Sequence, residues 1–442
     1  RFSITSTIVI TFIKIMQNAK PLNRNYFSKY IVIGTFSILL YGCNSNYIKI
    51  ITEDDYDKKE NVESSESNSQ INIDELLLEK ESIVLTNSNT IKKIAVLLPM
   101  TGKYSKIGKS IYNGIEIELN IIPDERKPKI IIYDTGDDDL NLKNIYSQML
   151  INNIDFVIGP LQKSLINKIT RYGQDSLPIL SLNYSDKISE KLNSVYQFGL
   201  LPEDEAICIA EKAIIDGNSN ASLLFPDNKW GKRIANSFSF RFEELGGTII
   251  DVIAYEEDNK KINNSIKSLL KIEKSIERKN KIQNILNIKL QYRPYIINNL
   301  DMVFSVGTAK EMRAIKPQFN FNYAEDLPFY STSHIYNGVN NKEINEDLND
   351  IKFCDIPWLY NNNNLVEKNI FLESSEKKDL LRFVALGMDS IKIIRNINDL
   401  KLFKNKYLSG SSGYLQLDEF NKIRRDLIII KFKNGIAKKV SF

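Results

Sequence analysis

The sequence predicts an α/β protein of two lobes, each a parallel sheet flanked by helices. Short apolar runs typical of buried strands alternate with stretches of helical periodicity. This alternation occurs twice, once in residues 91–182 and again from residue 203 onward. Repeated strand, short loop and helix indicates parallel strands joined by right-handed crossovers.

The first set of elements begins at Ile91. Residues 91–98 form an apolar run that Pro99 ends, and buried parallel strands have this composition. In the predicted helix 109–119, Ile111, Ile115 and Leu119 share one face. The predicted elements that follow are strand 129–133, helix 140–152, strand 155–158, helix 161–172 and strand 178–182.

The second set opens with helix 203–216, whose acidic first turn suits the positive end of the helix dipole. Residues 258–290 are dense in lysine, asparagine and isoleucine and predict a helical insertion with a solvated, charged face. The other predicted elements are strand 221–225, helix 232–245, strand 248–255, strand 301–306, helix 309–319, strand 329–332, a loop around His334, a helix near 377–397 and a hairpin within 413–432.

Upstream of the predicted lobes, the order of residues resembles the lipobox of bacterial lipoproteins. A basic stretch precedes the apolar run 30–41, which is shorter than the roughly 20 residues that span a bilayer and ends at Gly42-Cys43. The resemblance implies cleavage before Cys43 and lipidation of its sulfur, although Tyr41 departs from the small or aliphatic residue usual before the glycine. The alternative is a buried cysteine after a hydrophobic helix.

The resulting domain organisation has four parts. We expect translation to start at Met16, so that residues 1–15 are not part of the working protein. Residues 16–42 are then a lipoprotein signal peptide. Residues 43–90 comprise the lipidated Cys43 and a polar, acidic, flexible tether, and residues 91–442 form the two-lobed body.

Composition and motifs exclude several classes of function. The formal net charge of +4 over 442 residues is too small to indicate a nucleic-acid partner. Cys208 and Cys354 could pair in an oxidising compartment, but we expect isolated buried thiols. His334, the only histidine, is expected at the surface of a polar loop, and catalytic, phosphate-binding and metal-binding motifs are missing from the sequence. We therefore predict no enzyme activity, no cofactor and no metal.

Several stretches resemble a known family. Residues 94–102, 133–136 and 156–161 are similar to the type I periplasmic-binding-protein fold of the leucine-binding kind. Residues 198–206 and 408–426 resemble more closely the penicillin-binding-protein activators, the LpoA-like lipoproteins. The resemblance covers most of residues 91–442, and 258–290 is its weak part. The best-known members carry an N-terminal helical-repeat domain where this chain has only the tether.

The resemblance implies an interlobe cleft lined by loops that follow the strands. Turn and cap chemistry alone would also explain several of these residues. Residues 161–163 lack the small hydroxyl side chains usual after Gly-Pro, which weakens the case for a carboxylate pocket. The candidate cleft residues are Thr101, Gly102, Ser105, Leu161, Gln162, Lys163, Leu182, Asn183, Tyr184 and Trp230.

Two functions follow from the resemblance. The first is a periplasmic lipoprotein that binds and activates a class A penicillin-binding protein and so regulates peptidoglycan synthesis. Candidate contact residues for that partner are Tyr323, Phe329, Tyr336 and Tyr360. The alternative is the solute-binding protein of a branched-chain-type amino-acid importer, with an amino acid in the cleft. Asn44 is not the aspartate that retains some lipoproteins in the inner membrane, so we expect an outer-membrane anchor.

Overall fold

The computed structural model describes residues 91–136, 140–172, 177–185, 194–296, 299–361, 380–403 and 406–440. The predicted signal peptide, Cys43 and the tether lie outside these residues. Within the described part, none of the helices has the length and apolar character needed to cross a membrane.

The first lobe is built on a five-stranded, all-parallel sheet in the order β2-β1-β3-β4-β5. Its central strand β1 alternates between two cores: Ile94, Val96 and Leu98 pack in one, and Ala95 and Leu97 pack in the other. This two-sided burial explains the continuous apolar run. The elements are β1 (Lys93–Leu98), α1 (Ser105–Ile121), β2 (Lys129–Asp134), α2 (Leu142–Ile151), β3 (Phe156–Ile158), α3 (Lys163–Ile169), β4 (Ile179–Ser181) and β5 (Val195–Gln197).

The second lobe contains a seven-stranded sheet in the order β15-β14-β10-β9-β8-β6-β7. Strands β6 to β10 are parallel, whereas β14 and β15 add an antiparallel edge. The elements before this edge are α4 (Pro202–Ile215), β6 (Asn220–Pro226), α5 (Lys229–Glu244), β7 (Thr248–Tyr255), α6 (Asn259–Leu269), α7 (Ile272–Leu286), β8 (Met302–Ser305), α8 (Ala309–Phe321), β9 (Phe329–Thr332) and β10 (Lys352–Asp355).

After β10 the chain returns to the first lobe. Helix α9 packs against α1, and residues of α9 and of a small three-stranded sheet join the core around Ile94. The chain then re-enters the second lobe at β14. These elements are α9 (Leu381–Arg395), α10 (Ile397–Leu402), β11 (Leu408–Ser409), β12 (Tyr414–Leu417), β13 (Ile423–Asp426), β14 (Ile428–Lys433) and β15 (Ile436–Lys439).

The predicted fold class is confirmed, with differences at the level of elements. Strands β5, β10, β11 and β15 were not predicted, and the predicted hairpin within 413–432 is formed by β12 and β13 only. Residues 258–290 contain α6 and α7. Four short 3₁₀ helices span Asp124–Arg126, Ser333–Ile335, Glu346–Leu348 and Pro357–Tyr360 in the described residues.

The expectation of isolated thiols is wrong. Cys208 on α4 and Cys354 on β10 form a disulfide across 146 residues of chain. Their Cα atoms lie 6.3 Å apart because α4 packs directly against β9 and β10. Periodicity places each cysteine on an element but gives no information on which elements are neighbours, so the sequence could not show this proximity.

Candidate functional site

The candidate site is formed by loops at the carboxyl ends of the parallel strands. Open α/β sheets bind ligands at this edge. The predicted cleft residues of the first lobe follow β1, β3 and β4, and Trp230 lies at the start of α5, just after β6.

The loop after β1 is fixed by a carboxylate of the neighbouring strand. Thr101 Oγ1 donates to Asp134 Oδ2 at 2.7 Å, and the N–H groups of Met100 and Gly136 donate to Oδ1 at 2.7 and 2.8 Å. Burial alone would raise the pKa of Asp134, but these hydrogen bonds outweigh it and lower the pKa. The predicted ligand donor Thr101 therefore holds two loops together.

The two other residues of this loop serve the turn itself. Gly102 has φ +71°, a conformation that favours glycine, and its carbonyl accepts the N–H of Ser105 at 3.2 Å. Ser105 is the first residue of α1. Both residues thus have a local structural role.

The loops after β3 and β4 are joined to each other. Asn183 Nδ2 donates to the carbonyl of Leu161 at 3.2 Å, and Asn183 Oδ1 accepts the N–H of Tyr184 at 2.9 Å. Leu182 is buried in the first-lobe core, and Leu161 packs against that core. Gln162 is the residue before α3, and Lys163 is the exposed first residue of that helix. The structure therefore brings Leu161 and Asn183 together through a hydrogen bond.

Tyr184 is buried, and its hydroxyl has a partner within the protein. Its hydroxyl donates to the carbonyl of Ile423 on β13. Burial, together with the nearby Asp204 carboxyl, raises the pKa of Tyr184. Tyr184 thus ties the first-lobe loop to the small sheet.

Trp230 packs within the second lobe. Its ring centroid lies 5.0 Å from that of His334, in an edge-to-face arrangement. Among the described residues, no hydrogen bond or ring contact joins Trp230 to the first-lobe loops. Trp230 and the candidate cleft residues of the first lobe are therefore not linked by such contacts.

His334 lies at the surface, as predicted, but in a short 3₁₀ helix and not in a loop. It lies in the 3₁₀ helix Ser333–Ile335, and its side chain is 35% exposed. Burial, reinforced by the positive charge of Arg382, lowers the pKa of His334 to about 4. The imidazole is therefore neutral at neutral pH.

A set of buried charged pairs, which we call the interlobe polar network, was not predicted. It comprises Asp204, Glu205, Ser333, Asp355, Arg382 and Arg425. In its first pair, Asp204 of α4 and Arg425 of β13 are almost fully buried and lie 3.1 Å apart. Arg425 Nη2 also donates to the carbonyl of Leu201 at 3.2 Å. This pair joins the second lobe to the small sheet of the first.

Glu205 is the centre of the second contact. Its carboxylate accepts the N–H of Ser333 at 2.7 Å and the hydroxyl of Ser333 at 2.9 Å. Burial raises the pKa of Glu205 to about 7, although the positive charge of Arg382 opposes that rise. The residue is thus near half-ionised at neutral pH.

Arg382 in the first turn of α9 forms the third contact. Its Nε and Nη2 donate to the two oxygens of Asp355 at 2.8 and 2.7 Å, a bidentate pair. Nη2 also donates to the carbonyl of Tyr336 at 3.1 Å. These bonds fasten α9, whose body packs on the first lobe, to the end of β10 in the second.

The network uses the stretch that carried the most specific resemblance. Asp204 and Glu205 were interpreted from the sequence as acidic residues at a helix start, and they do lie in the first turn of α4. Their burial against β13 and Ser333 depends on tertiary packing, so the only sequence signal was the resemblance of residues 198–206. In the described residues, no group of three or more His, Cys, Asp or Glu side chains could hold a metal ion.

Comparison with known proteins gives one family and a set of named relatives. A sequence model of the family described as "LppC putative lipoprotein" matches residues 78–435. The curated relatives include penicillin-binding protein activators LpoA from two bacteria. That of Photobacterium profundum is 24% identical over 354 residues, covering 79% of this chain and 57% of the relative. That of Vibrio cholerae is 26% identical over 343 residues, covering 75% and 55%. The chain thus spans about half the length of the curated relatives it matches.

Solved structures share the fold. The LpoA (YraM) C-domain from Haemophilus influenzae, described as a regulator of PBP1A, matches with a TM-score of 0.64 and 22% identity over 79% of this chain and 100% of that one. A putative branched-chain amino acid ABC transporter protein from Chromobacterium violaceum matches with a TM-score of 0.57 and 18% identity, covering 77% and 100%. At these identities the matches establish the two-lobed fold and nothing further.

Proposed function

Since the chain belongs to the LppC putative lipoprotein family, we propose that it is a periplasmic lipoprotein that binds and activates a class A penicillin-binding protein. In this role it regulates peptidoglycan synthesis by protein contact. The names of the curated relatives support the proposal. The residues that the match covers include both lobes.

The observation that carries the proposal is the interlobe polar network. Asp204 and Arg382 are committed to contacts that fix the lobes against each other, and Glu205 is committed to Ser333 within the second lobe. In the first-lobe loops, Thr101 and Asn183 likewise bond to neighbouring loops. Side chains that would hold a solute are therefore used for internal structure, which favours a body that acts through its outer surface.

The amino-acid importer is the less supported alternative. An amino-acid ligand needs donors for its carboxylate and an acidic group for its ammonium. Thr101 and Asn183, the predicted donors, have internal partners, and Asp134 accepts from three residues of its own lobe. The shared fold with transporter proteins is compatible with either function.

Of the four predicted contact residues, one remains available for a partner. Phe329 and Tyr336 are buried, and Tyr360 packs against the same core. Tyr323 is 45% exposed, and Arg293 lies over its ring at 4.9 Å. Phe321, which is 77% exposed, is two residues away. Aromatic and arginine side chains of this kind anchor protein interfaces, so we assign the contact to the surface around Tyr323.

The membrane anchor is proposed on the sequence alone. The lipobox-like order before Cys43 supports lipidation of that residue, and Asn44 supports retention at the outer membrane. The substitution Cys43→Ser should move the protein from the membrane to the soluble periplasmic fraction, which cell fractionation measures. A variant that stays in the membrane fraction would contradict the anchor.

The test of the proposed function is the rate of glycan-strand synthesis by the cognate class A penicillin-binding protein. The full chain should raise that rate. Tyr323→Ala should raise the concentration of the chain needed for the same increase at least about tenfold. Phe240→Ala on α5, where the side chain is 73% exposed, is the matched control and should leave the increase unchanged. An unchanged rate with the wild-type chain would refute the proposal.

A further inference from the structure

A cavity lies where the two lobes meet, next to the interlobe polar network: Tyr360, which lines the cavity, donates to Asp355 Oδ2 at 2.9 Å. It has a volume of about 630 Å³, within the range of small-molecule sites. Its lining includes Lys392, Ser409, Ser411 and Tyr414 from the first-lobe side and Trp358 and Lys439 from the second. We call it the hinge cavity. None of the predicted cleft residues lines it.

One wall of the hinge cavity is the loop 409–413, which hydrogen bonds to a buried carboxylate hold in place. Asp389 of α9 is fully buried and accepts the N–H groups of Ser411 and Ser412, each at 2.6 Å, and the hydroxyl of Ser412 at 2.5 Å. Lys392 Nζ, one turn further along α9, donates to Ser411 Oγ at 3.1 Å. Three hydrogen bonds to one buried carboxylate fix the loop 409–413 before any ligand arrives, as a preorganised site requires.

The charge of the lining is one-sided. Two lysines and no carboxylate are among its residues. Lys392 is partly neutralised by Glu118 at 3.6 Å and Asp389 at 3.8 Å. Lys439 has no carboxylate within 4.0 Å in the described part of the chain. The cavity therefore attracts an anion, and Lys439 is the cation that remains to pair with it.

The lining also discriminates among anions. A zwitterionic amino acid would bring an ammonium group next to two lysines, without an acidic side chain to receive it. Tyr414, which is 52% exposed, instead offers an open aromatic face, and Ser409 offers a hydroxyl. An uncharged polar ring that carries a carboxylate satisfies all of these groups.

We propose that the hinge cavity binds a carboxylate-bearing sugar, with its carboxylate on Lys439 and its ring on Tyr414. The proposal is independent of the proposed function, because it concerns neither Tyr323 nor a partner protein. A ligand in this position contacts β15 of the second lobe and the loop 409–413 of the first. It would therefore hold the two lobes at one angle.

Isothermal titration calorimetry on the full chain in detergent tests the proposal with three probes. N-acetylmuramic acid carries a lactyl carboxylate, N-acetylglucosamine is the neutral counterpart of the same ring, and leucine is the zwitterion. We expect N-acetylmuramic acid to bind at least tenfold more tightly than either of the others. Lys439→Gln should reduce its affinity to that of the neutral sugar, and Tyr414→Ala should weaken it about tenfold.

Lys438→Gln is the matched control. It removes the same charge from the adjacent residue of β15, whose side chain points to the opposite face of the strand, and it should leave binding unchanged. Equal affinity for the acidic and neutral sugars, tighter binding of leucine, or equal losses in the Lys438 and Lys439 variants would overturn the proposal. So would the lack of measurable binding of N-acetylmuramic acid at millimolar concentration.

Discussion

At the scale of single residues, the junction between the lobes buries charged pairs in addition to apolar side chains such as Trp358 and Val384. Asp204 with Arg425 and Asp355 with Arg382 pair in positions where an apolar contact would avoid the cost of desolvation. Such pairs need well-defined geometry to be stable, and they therefore specify one relative placement of the segments that carry them. A fixed placement of the two lobes keeps the outer surface in one shape, as recognition of a protein partner requires.

Arg425 and Arg424 are neighbours on β13 with opposite environments, and they give a direct test of that interpretation. Arg425→Ala leaves the Asp204 carboxylate buried without its partner and should lower the free energy of unfolding by about 3–5 kcal/mol. Arg424 pairs with Asp418 at the surface, so Arg424→Ala should cost less than about 1 kcal/mol. Urea unfolding measures both. Similar losses in the two variants would contradict the role assigned to the buried pair.

The raised pKa of Glu205 predicts a specific pH dependence. The folded state retains the proton up to a pH of about 7, whereas the unfolded carboxyl loses it near 4.5, so the folded state binds more protons in between. The contribution of Glu205 to stability is therefore full below about pH 4.5 and falls as the pH rises to about 7. The loss is on the order of 3 kcal/mol.

Glu205→Gln removes this titration and is the appropriate comparison. Thermal unfolding should show wild type losing stability relative to the variant as the pH rises from 5 to 8. His334, with its lowered pKa, contributes the opposite slope, and its Nδ1 lies 3.8 Å from Glu205 Oε2, so the same comparison in a His334→Asn background isolates the titration of Glu205. A difference that does not change with pH would show that Glu205 is ionised throughout this range.

At the scale of elements, the packing of α9 against α1 depends on two glycines. A Cβ atom at Gly387 would lie 1.9 Å from the carbonyl oxygen of Ile111, and one at Gly114 would lie 2.0 Å from that of Val384. Both distances are far inside van der Waals contact, so the helices can approach this closely only where a side chain is missing from both. This contact attaches α9, and with it Arg382 and Asp389, to the first lobe.

Gly387→Ala is predicted to destabilise the protein although alanine is the better helix former. Helix propensity alone would stabilise by about 1 kcal/mol, whereas separation of α1 and α9 should cost about 2 kcal/mol or more, and the clash decides the sign. Lys109→Ala, at an exposed position of α1, is the control and should change stability by less than about 0.5 kcal/mol. A more stable Gly387→Ala variant would disprove the close contact.

The disulfide between α4 and β10 is a second contact that links two elements. It closes a loop of 146 residues, so replacement of Cys208 and Cys354 by alanine should lower stability by about 2–4 kcal/mol, chiefly by relaxing the constraint on the unfolded chain. Reductant should lower the unfolding midpoint of wild type in denaturant and leave that of the double variant unchanged. Equal sensitivity to reductant in both proteins would contradict the disulfide.

The elements show which parts of the fold the sequence can predict. Strand β1 and helix α1 were predicted because each has a long, consistent apolar pattern. Strand β5 contains glutamine and β10 contains lysine and aspartate, so neither forms a continuous apolar run like that of β1. For the site, resemblance located the loops, but the partner of Thr101 is Asp134, 33 residues away, and such pairings are set by tertiary packing.

At the scale of the whole molecule, three passages of the chain between the lobes and the interlobe polar network oppose free hinge motion. A solute-binding protein needs a cleft that opens to admit its ligand and closes on it, whereas an activator needs a persistent surface. The lobes of this protein are joined at Asp204–Arg425 and Asp355–Arg382. The molecule therefore suits recognition of a protein better than capture of a solute.

Native mass spectrometry of the full chain, mixed with its cognate class A penicillin-binding protein and a panel of amino acids, tests this claim most directly. We expect a mass that corresponds to the complex of the two proteins, without any retained amino acid. Tyr323→Ala should reduce the abundance of that complex, and Phe240→Ala should not. A chain that retains an amino acid and forms no complex with the synthase would contradict the account.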